Sequence, residues 1–377
     1  MKFEDFSSGI YRNQYQYKSF LPTTINREWT WEDPRINVLL EKATKTLGEL
    51  NAFSIIVPNV DLFIRMHVIK EANTSSRIEG TKTEIDDVVK GAEAIEPEKR
   101  DDWQEVQNYI QAMNEAIQQL DTLPLSLRLI KRTHEILMSG VRGEHKAPGE
   151  FRASQNWIGG SSLADAAYIP PHISDLPVLL DDFEKFLHNE EILVPHLIKC
   201  ALAHYQFESI HPFLDGNGRI GRLLITLYLV SNKFLLKPTL YLSDFFEKHR
   251  DQYYDSLSRV RIANDIGQWV RFFLQAVIET SEKGKETFES ILTLHRNTEA
   301  KLVKLGRRTE NARKLLLHLY QSPTVAISEV QDLLKLKYDP ANNLIKSLVE
   351  LDILQEVTGS SRNRVFMFGD YVNTFGK

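Results

Sequence analysis

From about residue 30 to about residue 290, apolar residues return at helical spacing, which confines most of the chain to packed helices. Val60 to Ile78 carries Leu62, Ile64, Met66, Val68 and Ile69, with Asp61 suited to the first turn and Gly80 offering a stop. Asp101 to Leu120 and Leu127 to Met138 read the same way, parted at Thr122-Leu123-Pro124. Leu176 to Leu187, Pro195 to Glu208, Ile220 to Ser231, Asp244 to Ser258 and Asp265 to Lys283 continue the pattern. One stretch breaks it. Ala147 to Pro171 holds Pro148-Gly149, Gly159-Gly160 and Pro170-Pro171, with Asn156-Trp157-Ile158 and Ala167-Tyr168-Ile169 flanking the glycines. That predicts a β-hairpin or ordered flap between helices. The fold class expected is mainly α with this one hairpin.

A boundary is expected near 283 to 310, where Ser281-Glu282-Lys283-Gly284-Lys285 and Leu305-Gly306-Arg307-Arg308 flank a polar-rich connector helix. Beyond it, Asn311 to Tyr320 is helical, Ser328 opens a second helix and Asp339-Pro340 a third. Ile353 to Val357 and Val365 to Phe368 read as strands joined by Gly359-Ser360-Ser361-Arg362-Asn363-Arg364. Three helices and a hairpin are the order of a winged helix.

The bulk numbers exclude some functions. With 377 residues, two or three domains are expected. A net charge of -5 demands neither nucleic acid nor an anionic membrane as partner. The single cysteine, Cys200, sits in an apolar run and reads as a core residue rather than a nucleophile, and one cysteine allows no internal disulfide. The longest apolar run, Leu223 to Val230, is too short to span a bilayer, and the N-terminus lacks the apolar core of a secretory signal. A soluble cytoplasmic protein is the expectation.

The chemistry concentrates in His211-Pro212-Phe213-Leu214-Asp215-Gly216-Asn217-Gly218-Arg219-Ile220-Gly221-Arg222. A glycine-rich loop runs there into a helix. Gly216 and Gly218 can take positive φ and let backbone N–H groups converge into an anion site. Arg219 and Arg222, three apart, share one face and suit a polyphosphate. Asp215 is a carboxylate placed for a metal ion bridging phosphates, and His211 is the group able to act as a base near neutral pH. A plain turn between core helices would have to account for all of these in fixed order by chance.

The segment resembles the signature of the Fic family, His-x-Phe-x-Asp/Glu-Gly-Asn-Gly-Arg-x-x-Arg, and matches at every defined position. The upstream helices, the hairpin and the following helix fit a Fic core, so the resemblance covers most of the chain. It implies 1–110 as an N-terminal helical extension, 111–283 as the Fic catalytic core, 284–309 as a connector and 310–377 as a winged-helix-like domain. It further implies a protein adenylyltransferase moving AMP from ATP to a Ser, Thr or Tyr hydroxyl of a target or of itself. His211 would take the hydroxyl proton, and Asp215 would hold Mg²⁺ or Mn²⁺. Gly216, Asn217 and Gly218 would form the anion hole. Arg219 and Arg222 would hold the β- and γ-phosphates, with Phe213 anchoring the loop. A kinase-like branch of the family replaces the second glycine, whereas Gly218 is intact here.

Ser75-Ser76-Arg77-Ile78-Glu79-Gly80 resembles the family's inhibitory motif, matching at Ser75, Glu79 and Gly80. The implied device is a Glu79–Arg222 pair that denies Arg222 to the γ-phosphate. Against it stands a solvated glutamate near a helix end. In relatives such a glutamate also serves AMP removal, which makes that second role a hypothesis here. The hairpin resembles the Fic flap, which docks a target segment as an added strand, with Ile158 and Tyr168 leaning over the nucleotide or simply packing the hairpin. Tyr253, Tyr254 and Leu257 resemble a segment lining the adenine, with core packing as the rival reading; Arg261 stands where some relatives carry Asn. The tail offers Asn342, Asn343 and Lys346 on a helix and Arg362 and Arg364 on a wing, but acidic neighbours dilute them. Protein docking is therefore preferred to DNA binding there. A homodimer is a further expectation. His196 and His204 lack metal-ligand spacing and read as core or surface residues. The competing functions are a DNA-binding regulator whose core senses nucleotide, and a Fic transferase using another nucleotide.

Overall fold

The computed structural model describes residues 1–56, 60–89, 95–140, 144–358 and 364–375. It opens on an antiparallel hairpin, β1 (Gly9–Asn13) with β2 (Lys18–Pro22). Then follow α1 (Pro34–Ile56), α2 (Val60–Ile78), the short α3 (Ile85–Val88), α4 (Arg100–Gln119) and α5 (Leu127–Leu137). The flap region leads to α6 (Leu176–His188), α7 (His196–Ile210), α8 (Asn217–Ser231), α9 (Ser243–Lys248), α10 (Arg250–Ala263) and α11 (Ile266–Leu302). The last unit is α12 (Thr309–Gln321), β3 (Thr324–Ala326), α13 (Ile327–Leu334), α14 (Tyr338–Glu350), β4 (Gln355–Glu356), β5 (Val365–Met367) and α15 (Gly369–Asn373).

Local chemistry sets several boundaries. Ser126 caps α5 by accepting from the Leu129 amide, and Asp265 caps α11 by accepting from Gln268 at 3.0 Å. Pro34 begins α1, where its missing N–H costs nothing. Helix α7 is buried on every side from Leu197 to Ile210, so it forms the axis of the core. Helices α6, α8 and α11 pack around it, and α1 lies along α11. Cys200 is buried in α7 and burial pushes its thiol pKa up, in keeping with a core residue.

Several expectations need correction. The N-terminal hairpin carries no helical pattern and was not foreseen. The Asp244 to Ser258 segment is two helices, broken at His249. Helix α11 runs on to Leu302, through the position near 283 where a boundary is expected; apolar residues Phe288 and Ile291 keep its inner face buried. The turn comes later, at Gly306, with φ 57° and ψ -118°. The expected flap hairpin shrinks to a single antiparallel bridge, Ile158 to Tyr168, because its glycine-rich tip offers few side chains to pack.

The last unit joins four helices, α12 to α15, to a three-stranded antiparallel sheet of order β3-β5-β4. Arg362 lies outside the described residues. Arg364 is committed to Asn342 at 3.1 Å and Glu356 at 3.7 Å. This unit packs on α2: Phe63 meets Tyr320 edge-on at 5.0 Å, and His67 meets Phe375 at 5.0 Å. Among the described residues no helix is long and apolar enough to cross a membrane.

Candidate active site

His211 ends α7 in a left-handed conformation, φ 49° and ψ 61°, which costs a non-glycine residue roughly 1–2 kcal/mol. The surroundings over-determine it. Arg152 Nε donates to the His211 carbonyl at 3.0 Å, and Asn156 Nδ2 donates to the same oxygen at 3.2 Å. The Arg152 amide donates to the Pro212 carbonyl at 2.9 Å. Arg152 is itself buried and also donates to Pro171 and Ile210 carbonyls. These residues stand about sixty positions upstream, and nothing local in the sequence marks them.

The loop from Phe213 to Asn217 closes on its own residues. Asn217 Oδ1 accepts from the Phe213 amide at 2.8 Å, and Asn217 Nδ2 donates to the Phe213 carbonyl at 2.9 Å. Phe213 is fully buried and stacks flat on His134, ring centroids 3.8 Å apart. The His134 ring accepts from the Gly149 amide and so donates through Nε2 to the Asp215 carbonyl at 3.0 Å. Burial lowers the His134 pKa to about 4, which keeps this ring neutral.

Helix α8 starts three residues earlier than the sequence reading places it, at Asn217. Gly216 is its N-cap at φ 74°, and a Cβ there would press on Met138 Sδ at 2.9 Å. Gly218 therefore lies inside the first turn without a positive φ, contrary to expectation. Its lack of a side chain matters for space instead. A Cβ on Gly218 would overlap the Glu79 carboxylate and come within 3.1 Å of Arg222. No side chain caps α8, so its first-turn N–H groups remain open to an anion. Asp215 is exposed, its Oδ1 accepting from the Gly216 amide at 2.6 Å.

Arg222 is buried and held by the end of α2 and the residue that follows it. Its Nε donates to Ser75 Oγ at 2.9 Å, and Nη2 donates to the Ser75 carbonyl at 2.9 Å and to Glu79 Oε1 at 2.7 Å. Burial works against both charges of this pair. Arg222, backed by Arg219 and His211, outweighs that and holds the Glu79 pKa below its ordinary value, while Glu79 raises that of Arg222. Glu79 keeps 37% of its side chain exposed, so the pair sits at the mouth of the site. Arg219 faces Glu105 at 3.4 Å, a partner the sequence reading did not name.

His211 is faced by Glu79, Arg152 and Arg261; burial dominates and lowers its pKa to about 4, leaving a neutral ring. Its inner nitrogen, Nδ1, lies 3.8 Å from Glu208 Oε2. Glu208 was also missed, although its place three residues before His211 on one helix face was a readable signal.

The remaining expected residues flank the loop, with Tyr253 and Tyr254 facing Arg222 and Glu79. Tyr253 is buried, its hydroxyl donating to His204 Nε2 at 2.9 Å because Nδ1 donates to the Gly221 carbonyl, and its ring stacks on Phe246; Leu257 is also buried. Both belong to the core, and of the three proposed adenine contacts Tyr254 alone is open to solvent. Tyr168 points inward, its hydroxyl donating to the Ser209 carbonyl at 2.6 Å under the guanidinium of Arg261 at 4.1 Å. It pins the flap base instead of leaning outward, while Ile158 is half-buried across the bridge.

Residues 38–118 match the Fic/DOC family N-terminal region, and residues 124–229 match the Fic/DOC family domain. The chain therefore carries a Fic/DOC N-terminal region followed by a Fic/DOC domain. It is 37% identical over 133 residues to a protein adenylyltransferase Fic of Aedes aegypti, covering 35% of this chain and 24% of that protein. It is 34% identical over 161 residues to the protein of the same name from Drosophila grimshawi, covering 42% of this chain and 30% of the relative. The chain thus spans well under half the length of these relatives. A crystal structure of a Fic family protein from Desulfovibrio desulfuricans shares the fold, with a TM-score of 0.59 and 22% identity over 91% of this chain and 98% of that one. A Fic domain containing signaling protein from Bacteroides thetaiotaomicron shares it at a TM-score of 0.51 and 15% identity, over 68% of this chain and 97% of that one.

Proposed function

We propose that this chain is a protein adenylyltransferase that transfers AMP from ATP to a Ser, Thr or Tyr hydroxyl of a target protein or of itself, and that Glu79 restrains it. The observation that carries the reading is the Glu79 carboxylate against Gly218 at the uncapped start of α8, bound to Arg222. A carboxylate there stands in for an anion drawn to the helix start and a guanidinium. The relatives named protein adenylyltransferase support the same chemistry.

The steps follow from the residues. The target hydroxyl oxygen attacks the α-phosphorus, the bond to the bridging oxygen breaks and pyrophosphate leaves. The hydroxyl proton passes to neutral His211, which burial keeps ready to accept it. The α8 N–H groups and Arg219 and Arg222 hold phosphate charge as it redistributes. One exposed carboxylate, Asp215, is too few for an all-protein cage but suits a Mg²⁺ or Mn²⁺ whose other ligands are phosphate and water oxygens. That ion would neutralise charge between the phosphates. Glu79 restrains the reaction by occupying Arg222 and the space above Gly218. The last unit serves in this reading as a winged-helix docking module for protein, in a cytoplasmic setting.

The test is incubation with α-labelled ATP and Mg²⁺, with and without cell lysate, for wild type, Glu79→Gly and Glu79→Gly/His211→Ala. Label that rises in the single variant and disappears in the double variant supports the reading. No label with ATP in any sample, but label with another α-labelled nucleotide, transfers the proposal to that nucleotide.

A further inference from the structure

Glu208 is a glutamate placed where a chain of apolar residues would be expected. It lies on α7, buried, and its Oε1 has no hydrogen-bond partner among the described residues. The Nδ1 of His211 is likewise buried with no well-formed hydrogen bond; the Glu208 backbone supports the ring, and Glu208 Oε2 lies 3.8 Å from Nδ1. His211 Nδ1, unpaired opposite Oε2, and the carboxylate's other oxygen, Oε1, unpaired beside Gly221, call for a reason, since each costs roughly 1–3 kcal/mol when left unpaired. Space has also been made for this carboxylate. A Cβ on Gly221 would overlap Glu208 Oε1, so the second glycine of Gly-Arg-Ile-Gly-Arg gives the carboxylate room beside α8. A leucine-like residue would fill that site without such an arrangement.

We propose that Glu208 is the positioning residue for His211: it takes the Nδ1–H of the ring in a hydrogen bond, so that Nε2 is the nitrogen that receives the target's hydroxyl proton. When that proton arrives the ring becomes an imidazolium, and the neighbouring carboxylate balances its charge. The logic is that of an acid that orients and supports a histidine base without taking the proton itself. A catalytic hydrogen bond is often long before substrate arrives, and a shift of under about 1 Å closes this one. Glu208 is also faced by Arg222 from α8, Glu79 just after α2, and Arg261 and Tyr253 from α10; His211 is also faced by Glu79, Arg152 and Arg261. Burial pushes the Glu208 pKa up to about 7, with Glu79 adding to the rise and Arg222 opposing it. Withdrawing Glu79 removes the negative neighbour that raises the Glu208 pKa, so release of the restraint also favours the charged form of Glu208. Inhibition and base support are thereby linked through a single carboxylate.

The kinetic arm of the test rests on the AMP-transfer reading, and a spectroscopic arm does not. Both use the full chain in the Glu79→Gly background, comparing it with added Glu208→Gln, which keeps the side chain's size, and with added Gly221→Ala, whose methyl displaces the carboxylate. In ¹⁵N-histidine NMR, the His211 signal is identified by its loss in His211→Ala. The parent is expected to show the Nδ1–H tautomer. Both variants are expected to lower the His211 midpoint by about one pH unit and to mix the tautomers. In the α-labelled ATP assay both are expected to cut kcat at least about tenfold while KM for ATP stays within about twofold. An unchanged midpoint and tautomer overturn the pairing, as does a raised KM with kcat retained, which would make Glu208 a nucleotide contact. Should the parent carry no label at all, the transfer reading fails while the NMR comparison still decides the pair. If Glu208→Gln does not fold, Gly221→Ala decides it alone.

Discussion

The start of α8 and the flap at 156–169 flank the same histidine but are built in opposite ways. Around α8, polar groups are held by residues brought from far along the chain: Ser75 and Glu79 on Arg222, Glu105 on Arg219, Arg152 and Asn156 on the His211 carbonyl. The flap is held mainly by near neighbours: the bridge, Tyr168 on Ser209, and a tip where the Ser161 and Ser162 amides and hydroxyls donate to Asp165, while Trp157 and the glycine pair are exposed. A site that stabilises charge needs groups that do not reorganise during the reaction, whereas a surface that receives a peptide by backbone pairing needs a free edge and little else. The start of α8 is thus held by long-range partners and the flap tip by local ones.

The sharpest way to break this contrast is at His211. In the Glu79→Gly background, His211→Ala is expected to lower AMP transfer by about 10²–10⁴-fold with little change in melting temperature, read by label incorporation and calorimetry. Residual transfer within tenfold would mean that positioning alone carries the reaction.

Next comes the scaffold. Arg152→Ala leaves the Pro171 and Ile210 carbonyls without this buried donor, leaves the His211 carbonyl to Asn156 alone, and loosens a strained backbone. A loss of about 2–4 kcal/mol is expected in denaturant unfolding, with transfer falling in parallel. An unchanged stability would show that the left-handed turn at His211 does not need this arginine.

The same region predicts a pH response. His67, His134, His204 and His211 are buried and their pKa values lie near 3 to 4, with burial the leading cause in each. An unfolded chain binds protons on these rings near pH 6.5, before the folded one does. The stability they contribute is therefore complete above about pH 6.5 and lost progressively as the pH falls toward 4. Melting temperatures measured from pH 7.5 to 4.5 should decline across that window. A His134→Gln variant should show a shallower decline.

The smallest effect belongs to the flap. Trp157→Ala is expected to change stability by less than about 0.5 kcal/mol and to leave the KM for ATP unchanged, while label transferred to a separate target falls. Self-labelling and target labelling measured side by side would show whether the flap serves the partner and not the nucleotide.

Much of this site was legible from residue order. The stretch His211 to Arg222 declared a base, a carboxylate, an anion-binding helix start and two arginines, because a glycine-rich loop entering a helix sets its backbone within a few residues. Helical spacing placed α2 at Val60–Ile78 to the residue. The N-terminal hairpin and the course of α11 past residue 283 were not legible, since pairing and packing with distant segments decide them.

Sequence by itself therefore determined the helical character of the core, the loop chemistry at 211–222 and the candidate glutamate at Glu79, each a matter of local spacing. Only tertiary structure decided that Ser75 and Glu79 meet Arg222 across 147 and 143 residues. It also decided that Arg152 braces His211, that Gly218 and Gly221 are there to leave room, and that Tyr253 belongs to the core. The physical reason is that a side chain's partners depend on which surfaces burial brings together, and burial is settled over the whole chain at once.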